Sequence, residues 1–231
     1  MSLRLLASTA TVFLAASPAL GGLVAGWTIT TAFPTGTGNV PTGQTYSVGA
    51  ADQGDLTAGT ELMSWHASAA ATYTSPSGNG SQYAFSSNNW AIGDYYQAKF
   101  STAGYFDAIT VSWDQARSST GPSAFEVVYS TDGGANWNVA LASYTVLQSG
   151  GGGAPATWST LTYNAIYTNT LAIAGLENQA EVLLRFRATG AAGGATGSNR
   201  IDNVMVYSGE VPAPGAIALL AVAGLAARRR R

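Results

Sequence analysis

The feature that most constrains the fold is a period-two alternation of apolar and polar residues in three separate segments. The apolar members are Ile109, Val111 and Trp113 in the first segment, Phe125, Val127 and Tyr129 in the second, and Val182, Leu184 and Phe186 in the third. Because successive side chains of a β-strand point to opposite faces, each segment has one apolar face. This pattern is typical of antiparallel sheets that are packed on one side.

Short β-rich runs continue through the body of the chain, separated by clusters of Gly, Pro, Asn and Ser, and none of the body has a convincing helical period. Strands are predicted at Trp27–Ala32, Thr45–Gly49, Glu61–Ala67, Gln82–Ser86, Tyr95–Phe100, Phe106–Asp114, Ala124–Ser130, Asn136–Ala142, Thr157–Tyr163, Val182–Ala188 and Arg200–Tyr207. Many short strands without an internal repeat predict a single all-β domain, an antiparallel β-sandwich of jelly-roll type.

The N-terminus has the layout of a secretory signal. Arg4 supplies a positive start, a largely apolar segment runs from Leu5 to Ala16, and small residues follow. We expect a signal peptide with a helical core over residues 1–25, cleaved after Ala19 or Ala25, with a permanent membrane helix as the alternative. The β-sandwich ectodomain is then expected over residues 26–210.

The last 21 residues form a tail with three parts: Val211, Pro212 and Pro214, then an apolar run from Gly215 to Ala227, then the four arginines Arg228, Arg229, Arg230 and Arg231. As a helix, the apolar run is roughly 20 Å long, marginal for a hydrocarbon core of about 30 Å. The arginines favour a cytoplasmic C-terminus, which places the body across the membrane. A core or amphipathic helix is the alternative, but the run has no polar face.

This tail resembles a PEP-CTERM sorting signal, with Pro212 and Pro214 in the motif, a short transmembrane helix and a basic cluster. Ala213 stands where the named motif has Glu. The resemblance implies export, processing by an exosortase-like enzyme, and a location at the cell surface or in exopolysaccharide, with at least transient membrane anchoring. It implies nothing about the chemistry of the body.

Charge and composition narrow the partners of the body. Residues 26–210 hold five basic residues against all 12 acidic ones, a net charge of −7. Such a surface argues against a nucleic-acid partner. The chain has no cysteine, so a disulfide or thiolate site is excluded, and no cofactor is predicted apart from a candidate structural calcium ion.

The strongest internal motif is STDGGANW over residues 130–137, which resembles the Asp-box. Its members are Ser130, Asp132, Gly134 and Trp137. The motif predicts a hairpin in which Asp132 accepts hydrogen bonds from turn N–H groups, Gly133 and Gly134 take positive φ, and Trp137 packs over the turn. Asp-boxes occur in sialidases, in several copies, and in adhesive jelly-roll domains, so a single copy favours a structural hairpin over a ligand contact.

Residues 80–207 also resemble jelly-roll modules of exported surface proteins, through the segment 104–122, the strand beginning at Phe125 and the sequence RIDNVMV at 200–206. The apolar parity changes within this last strand, and a bulge near Asp202 and Asn203 would reconcile it. The resemblance implies that Asp202 can contribute to a calcium site, whose other ligands would be Asp52, Asp55, Asp94 or backbone carbonyls. The alternative is that Asp202 pairs with Arg200 or Arg185, or accepts from loop N–H groups.

Dense catalytic clusters are absent from the sequence. His66 is the one histidine, and no serine lies in a G-x-S-x-G motif. His66 is therefore expected to be a packed or surface residue, and zinc catalysis is not supported. A secreted glycan hydrolase that uses two carboxylates is the alternative function, although nothing selects a pair among the 12 acidic residues.

The aromatic residues suggest sugar binding. Trp65, Trp90, Trp113, Trp137 and Trp158 could serve as stacking platforms or fill the core. Trp90, in a polar segment, is the candidate sugar contact, while Trp113 and Trp137 look internal or bound to a hairpin. We expect a non-enzymatic surface protein with weak carbohydrate binding, and polysaccharide as its partner.

Overall fold

The computed structural model describes residues 22–33, 41–151 and 155–209. Within these ranges the chain is all-β, with one 3-10 turn at Ala165–Tyr167. The strands are β1 Gly22–Trp27, β2 Thr45–Gly49, β3 Glu61–Trp65, β4 Tyr73–Thr74, β5 Phe85–Ser87, β6 Tyr95–Phe100, β7 Ile109–Arg117, β8 Ala124–Ser130, β9 Asn138–Thr145, β10 Thr168–Ile173, β11 Val182–Ala188 and β12 Asn199–Ser208.

Most of the predicted signal peptide, through residue 21, and the whole sorting tail from Val211 to Arg231 lie outside the described residues. The predicted signal helix and the predicted C-terminal membrane helix both fall in these segments. Among the residues that the structure describes, no helix is long and apolar enough to cross a bilayer.

Two antiparallel sheets form the sandwich that the alternation predicts. The first sheet has the order β10-β7-β12-β5-β4, and β1 adds to the C-terminal half of β12. The second has the order β2-β3-β6-β11-β8-β9. The chain crosses between the sheets at every connection except the three between paired neighbours, β2–β3, β4–β5 and β8–β9, which is a jelly-roll-like connectivity. The predicted fold class is therefore confirmed for the body.

The core lies between the sheets and is rich in aromatic residues. Trp113 of β7, Phe125 of β8 and Phe186 of β11 are all at most 1% exposed, and the rings of Trp113 and Phe186 lie 4.9 Å apart. Burial of each such side chain stabilises the fold by roughly 1.5–3 kcal/mol. The period-two pattern assigns these inward residues to one face, and the core prediction is confirmed except at Tyr129, which is only partly buried because the register of β8 shifts before it.

Strand bounds differ from the prediction where a run had no partner or was too short to be recognised. Thr157–Tyr163 is not a strand; Trp158 packs on the outside of the first sheet against Tyr167, and the edge strand is Thr168–Ile173 instead. The two-residue strand Tyr73–Thr74 was not predicted.

Strand β1 spans residues 25 and 26, the predicted boundary between the signal peptide and the sandwich. Gly22–Trp27 is paired with β12, and Val24 and Ala25 are fully buried, whereas the strand predicted at Trp27–Ala32 starts where β1 ends. Residues 22–25, which resemble the end of a signal peptide, therefore belong to a core strand. This is possible because β12 is long enough to pair with β5 along its first half and with β1 along its second half.

The predicted bulge in β12 is present. The register against β7 shifts between Asp202 and Met205, and Asn203 has φ 46°. Ile201 is buried before the bulge and Val204 after it, so the extra residue moves the buried parity from odd to even positions. Asp202, next to the core-facing Ile201, lies on the outer face of the first sheet and is fully buried under the segment that contains Asn79 and Ser81.

Candidate functional site

A row of stacked side chains runs across the outer face of the second sheet. We call it the aromatic–arginine row: Trp65 on β3, Tyr95 on β6, Arg185 on β11, and Trp137 in the hairpin before β9. The rings of Trp65 and Tyr95 are stacked at 5.6 Å and 19°, and the Arg185 guanidinium lies 3.9 Å from the Tyr95 ring centroid and 3.8 Å from that of Trp137. At about 4.8 Å per strand the row is on the order of 15 Å long.

Strand pairing explains this arrangement. Trp65 and Tyr95 are directly opposite each other in the register of β3 and β6, so their side chains rise on the same face. The alternate residues Leu62, Tyr96 and Leu184 point into the core. All four members of the row are partly exposed, and partial burial raises the pKa of the Tyr95 phenol.

Polar groups flank the row and form hydrogen bonds with Arg185 and with the neighbouring Arg187. Arg185 Nε donates to Gln97 Oε1 at 2.7 Å, and Arg187 Nε donates to Glu126 Oε1 at 2.8 Å in an ion pair. Burial lowers the pKa of Arg185, although the guanidinium stays charged between its two rings. The face therefore combines flat rings with amide, carboxylate and guanidinium groups that can bind hydroxyls.

The hairpin at residues 130–137, whose sequence resembles an Asp-box, holds one end of the row. Asp132 accepts hydrogen bonds from the Ser130 hydroxyl at 2.7 Å and from the Asn136 backbone N–H at 2.9 Å. These bonds hold the pKa of Asp132 at about 2, well below its usual value. Gly133 and Gly134 have φ of 71° and 91°, as predicted, and the Trp137 indole N–H donates to the Gly134 carbonyl at 3.0 Å.

Trp90, the candidate sugar contact, is a core residue. It is 3% exposed, its indole N–H donates to the Ser87 carbonyl at 2.9 Å, and its ring packs against Tyr96 and Phe125. The polar residues around it misled the sequence interpretation, because Asn88 and Asn89 bond the backbone of the neighbouring segment. No sugar can reach this ring.

His66 is packed in the core, as expected. Its Nδ1 lies 3.0 Å from Asp94 Oδ2, both residues are fully buried, and the ring packs edge-on against Trp90 at 4.5 Å. Asp94 also accepts from the backbone N–H groups of Ala67 and Ala91. Within the described residues no hydroxyl bonds His66 Nε2, so the pair has no nucleophile to activate.

Asp202, the candidate calcium ligand, lies in a buried polar cluster. Its Oδ2 accepts from the backbone N–H of Asn79 at 2.8 Å and from the Ser81 hydroxyl at 2.5 Å, and its Oδ1 accepts from the backbone N–H of Asn203. Asp114, opposite it on β7, accepts from the side-chain amides of Asn79 and Asn203. Burial raises the pKa of Asp202 to about 7 and also raises that of Asp114.

The residues around Asp202 do not fit a calcium ion. The Asn79 side-chain oxygen accepts from the Asn164 N–H and the Asn203 amide nitrogen donates to the Asn79 carbonyl, so the nitrogen ends of both amides face Asp114. Calcium needs six to eight oxygen ligands, whereas this cluster presents N–H donors to the carboxylates.

The other carboxylates that were predicted as calcium ligands bond to partners elsewhere in the structure. Asp52 accepts from Thr28, Asp55 from the Tyr105 hydroxyl, and Asp94 pairs with His66. No group of three or more His, Cys, Asp or Glu residues in the described ranges has a metal-binding arrangement. Of the sequence alternatives for Asp202, the bonds to loop N–H groups are the ones that the structure contains.

The pair of carboxylates in this cluster does not support the alternative function, a glycan hydrolase. Asp114 and Asp202 face each other across β7 and β12, but they are 1% and 0% exposed. A glycosidase needs its two carboxyl groups on either side of a bound sugar. A substrate cannot enter between these two.

Sequence reasoning named Trp65 and Trp137 among the aromatic residues but missed Tyr95, Arg185 and Gln97. The signal was available, since Tyr95 and Gln97 occupy the outward parity of β6 and Arg185 that of β11. Only the strand order β3-β6-β11-β8-β9 shows that they meet.

No family model and no curated protein matches the chain. Solved structures of low similarity do. The CBM22-1–GH10 modules of xylanase 10B from Clostridium thermocellum, complexed with xylohexaose, match with 12% identity over 84% of this chain, at a TM-score of 0.45. The K1 cleaved adhesin domain of Lys-gingipain from Porphyromonas gingivalis W83 matches with 13% identity over 81% of this chain and 98% of its own, at 0.41.

A family 11 carbohydrate-binding module from Clostridium thermocellum, in complex with a mixed-linked tetrasaccharide, is 12% identical over 82% of this chain and 99% of its own, with a TM-score of 0.36. The chain spans 30% of the xylanase modules. At this level of likeness the comparisons leave the ligand and the activity of the chain open.

Proposed function

We propose that the chain is an exported, surface- or exopolysaccharide-associated β-sandwich that binds neutral carbohydrate at the aromatic–arginine row and catalyses no reaction. The observation that carries this proposal is the row itself. Trp65, Tyr95, Arg185 and Trp137 form a partly exposed stack across the outer face of one sheet.

The chemistry of the row suits a sugar. Aromatic rings offer apolar surface for the C–H faces of sugar rings, and a limited set of polar groups can orient the hydroxyls. Stacking holds the row rigid before binding, which lowers the entropy cost of association. We infer a neutral ligand because the Arg185 guanidinium is held between the Tyr95 and Trp137 rings, and because Arg187, beside the row, is paired with Glu126.

Export rests on the two ends of the sequence. Cleavage after Ala19 would leave β1 whole, whereas cleavage after Ala25 would remove Val24 and Ala25, which are fully buried. We therefore place signal cleavage after Ala19. The PEP-CTERM-like tail would then anchor the sandwich to the membrane until an exosortase-like enzyme processes it.

Binding is tested with the full-length protein and a panel of soluble neutral xylans and β-glucans, by affinity electrophoresis. Trp65→Ala should weaken binding by about tenfold or more, since it removes an aromatic platform. Phe106→Ala is the matched control, because Phe106 is 74% exposed and lies outside the row. Absence of binding to every neutral polysaccharide, or equal binding by Trp65→Ala, would refute the proposal and leave a scaffold role.

Export is tested by mass spectrometry of the protein recovered from cells that produce it. The proposal expects a mature chain that begins at Leu20 and lacks Arg231. An untrimmed chain from Met1 to Arg231 in the cytosol would contradict both the signal and the sorting assignment.

A further inference from the structure

A second concave site lies on the outer side of the first sheet, away from the aromatic–arginine row. We call it the arginine pocket; it has a volume of about 330 Å³. Its lining includes Arg117, Arg200, Ser86, Ser118 and Ser149, with further Ser, Thr and Asn side chains. This size lies at the lower end of the range for small-molecule sites, roughly 300–1,000 Å³.

Strand register builds the floor of the pocket. Arg200 of β12 is opposite Ser86 of β5, and Ser86 is opposite Thr74 of β4. The neighbouring pair, Ile201 and Phe85, is fully buried between the sheets, so Arg200, Ser86 and Thr74 share the outer face. Arg117 closes the pocket from the C-terminal end of β7.

Contacts on several sides hold both guanidinium groups in place. Arg200 Nη2 donates to the Ser149 hydroxyl at 2.6 Å, and the guanidinium lies 4.7 Å from the Trp158 ring centroid. Arg117 donates from Nε to the Val146 carbonyl and from Nη1 to the carbonyls of Ser118 and Ser119. Arg200 Nη1 makes a long contact to the Ser77 carbonyl at 3.5 Å. The hydrogen bonds of the two arginines to described residues use neither Arg117 Nη2 nor Arg200 Nε, which leaves these donors for a ligand.

The pocket is positive and has no internal counter-charge. Its lining contains two arginines and no Asp or Glu. Among the residues that the structure describes, ion pairs within 4.0 Å involve only His66 with Asp94 and Arg187 with Glu126. Burial lowers the pKa of Arg200, because its charge has lost part of its hydration, and the Asp202 carboxylate beneath the pocket opposes this shift without forming an ion pair with Arg200. A partly desolvated cation without a carboxylate partner is stabilised when an anion binds.

The rest of the lining distinguishes a sugar from a bare anion. Nine of the twelve lining residues are Ser, Thr or Asn, whose hydroxyl and amide groups both donate and accept. An inorganic anion accepts hydrogen bonds and would use few of these groups, whereas a sugar hydroxyl can use both roles. We propose that the arginine pocket binds an acidic sugar unit, with its carboxylate on Arg117 and Arg200 and its hydroxyls on the Ser and Thr side chains.

This site does not depend on the aromatic–arginine row, and the two can be separated. The test is titration calorimetry of the full-length protein with a glucuronate-containing oligosaccharide, the same oligosaccharide after reduction of its carboxyl groups, and sodium sulfate. The acidic oligosaccharide should bind at least about tenfold more tightly than the reduced one, as expected for charge-assisted hydrogen bonds. Equal binding of both forms would overturn the proposal, and so would sulfate that binds as tightly as the sugar.

Variants assign the binding to the pocket. Arg117→Gln and Arg200→Gln should each weaken binding of the acidic oligosaccharide by about tenfold or more. Arg187→Gln changes the net charge equally on the other sheet and should leave it unchanged, as should Trp65→Ala, which instead removes neutral-glycan binding. If Arg200→Gln does not fold, Arg200→Lys replaces it, since it keeps the charge but loses the planar fork. Unchanged affinity in the Arg117 and Arg200 variants would refute the assignment.

Discussion

Arginines on the two sheets have different partners. On the second sheet, Arg185 lies between the Tyr95 and Trp137 rings and bonds Gln97, and Arg187 is paired with Glu126. On the first sheet, Arg117 and Arg200 line a polar pocket in which they bond carbonyls and a hydroxyl but no carboxylate.

The difference shows that partners, rather than residue type, decide what a cationic side chain can bind. A guanidinium stacked between two rings serves as a flat layer, whereas one that lines a concave polar pocket offers both charge and hydrogen bonds to a ligand. We therefore assign neutral sugar to the row and acidic sugar to the pocket.

The largest expected difference concerns pH, because only the first sheet carries a buried carboxyl group with a strongly raised pKa. The pKa of Asp202 is about 7 in the folded chain, against an ordinary 3.8. A raised pKa means that the folded state holds the proton more tightly. The stability that protonated Asp202 contributes is therefore complete below pH 3.8 and is lost as the pH rises towards 7, by at most roughly 4 kcal/mol.

Asp202→Asn mimics the protonated form and should remove this loss. Urea unfolding of both proteins between about pH 4 and pH 8 should give curves that agree at the acidic end and diverge towards neutrality, with the variant more stable. If calcium stabilises the wild type and Asp202→Asn is the less stable protein throughout, the calcium site predicted from the sequence is restored. Parallel curves would show that Asp202 titrates normally.

The next effect tests the row as a structural unit. Arg185→Ala removes two cation–π contacts and the bond to Gln97, so the free energy of unfolding should fall by about 1–2 kcal/mol. Arg187→Ala, on the same strand, removes a partly exposed ion pair and should cost less than about 1 kcal/mol. Urea midpoints decide the matter, and equal losses in the two variants would mean that the stack contributes no more than a surface ion pair.

The fold was predictable where the sequence of a strand has a clear period-two pattern. The bounds of β2, β6, β8 and β11 match the prediction because each strand is flanked by turn residues. Strand β4 has only two residues, too few to show a period. Strand β1 resembles the end of a signal peptide because Gly and Ala are common in both. The bulge at Asp202 was predictable because the apolar parity changes there.

The sites were less predictable, since they depend on which strands are neighbours. The Asp-box is local, so its bonds followed from eight consecutive residues. Arg200 and Ser86 are distant in sequence and meet only because β12 pairs with β5. Trp90 shows the opposite error, in which polar neighbours in sequence surround a ring that the fold buries.

Ionic strength should separate the two binding sites. Raising salt from about 0.1 M to about 1 M shortens the Debye length from roughly 10 Å to 3 Å. Affinity of the pocket for the acidic oligosaccharide should then fall several-fold, because its main contact is between unlike charges. Affinity of the row for a neutral polysaccharide should change by less than about twofold. Equal salt dependence at both sites would contradict the division between a charged and a neutral ligand.

The smallest effect concerns the hairpin that positions Trp137. Asp132→Ala removes the acceptor for Ser130 and Asn136, so the turn should loosen and Trp137 should spend less time over Arg185. Affinity of the row should fall by about two- to threefold, while the pocket keeps its affinity, since no residue of the hairpin lines it. Asp132→Asn keeps one acceptor oxygen and serves as the matched variant. If Asp132→Ala changes the pocket as much as the row, the hairpin acts on the stability of the whole sandwich rather than on Trp137.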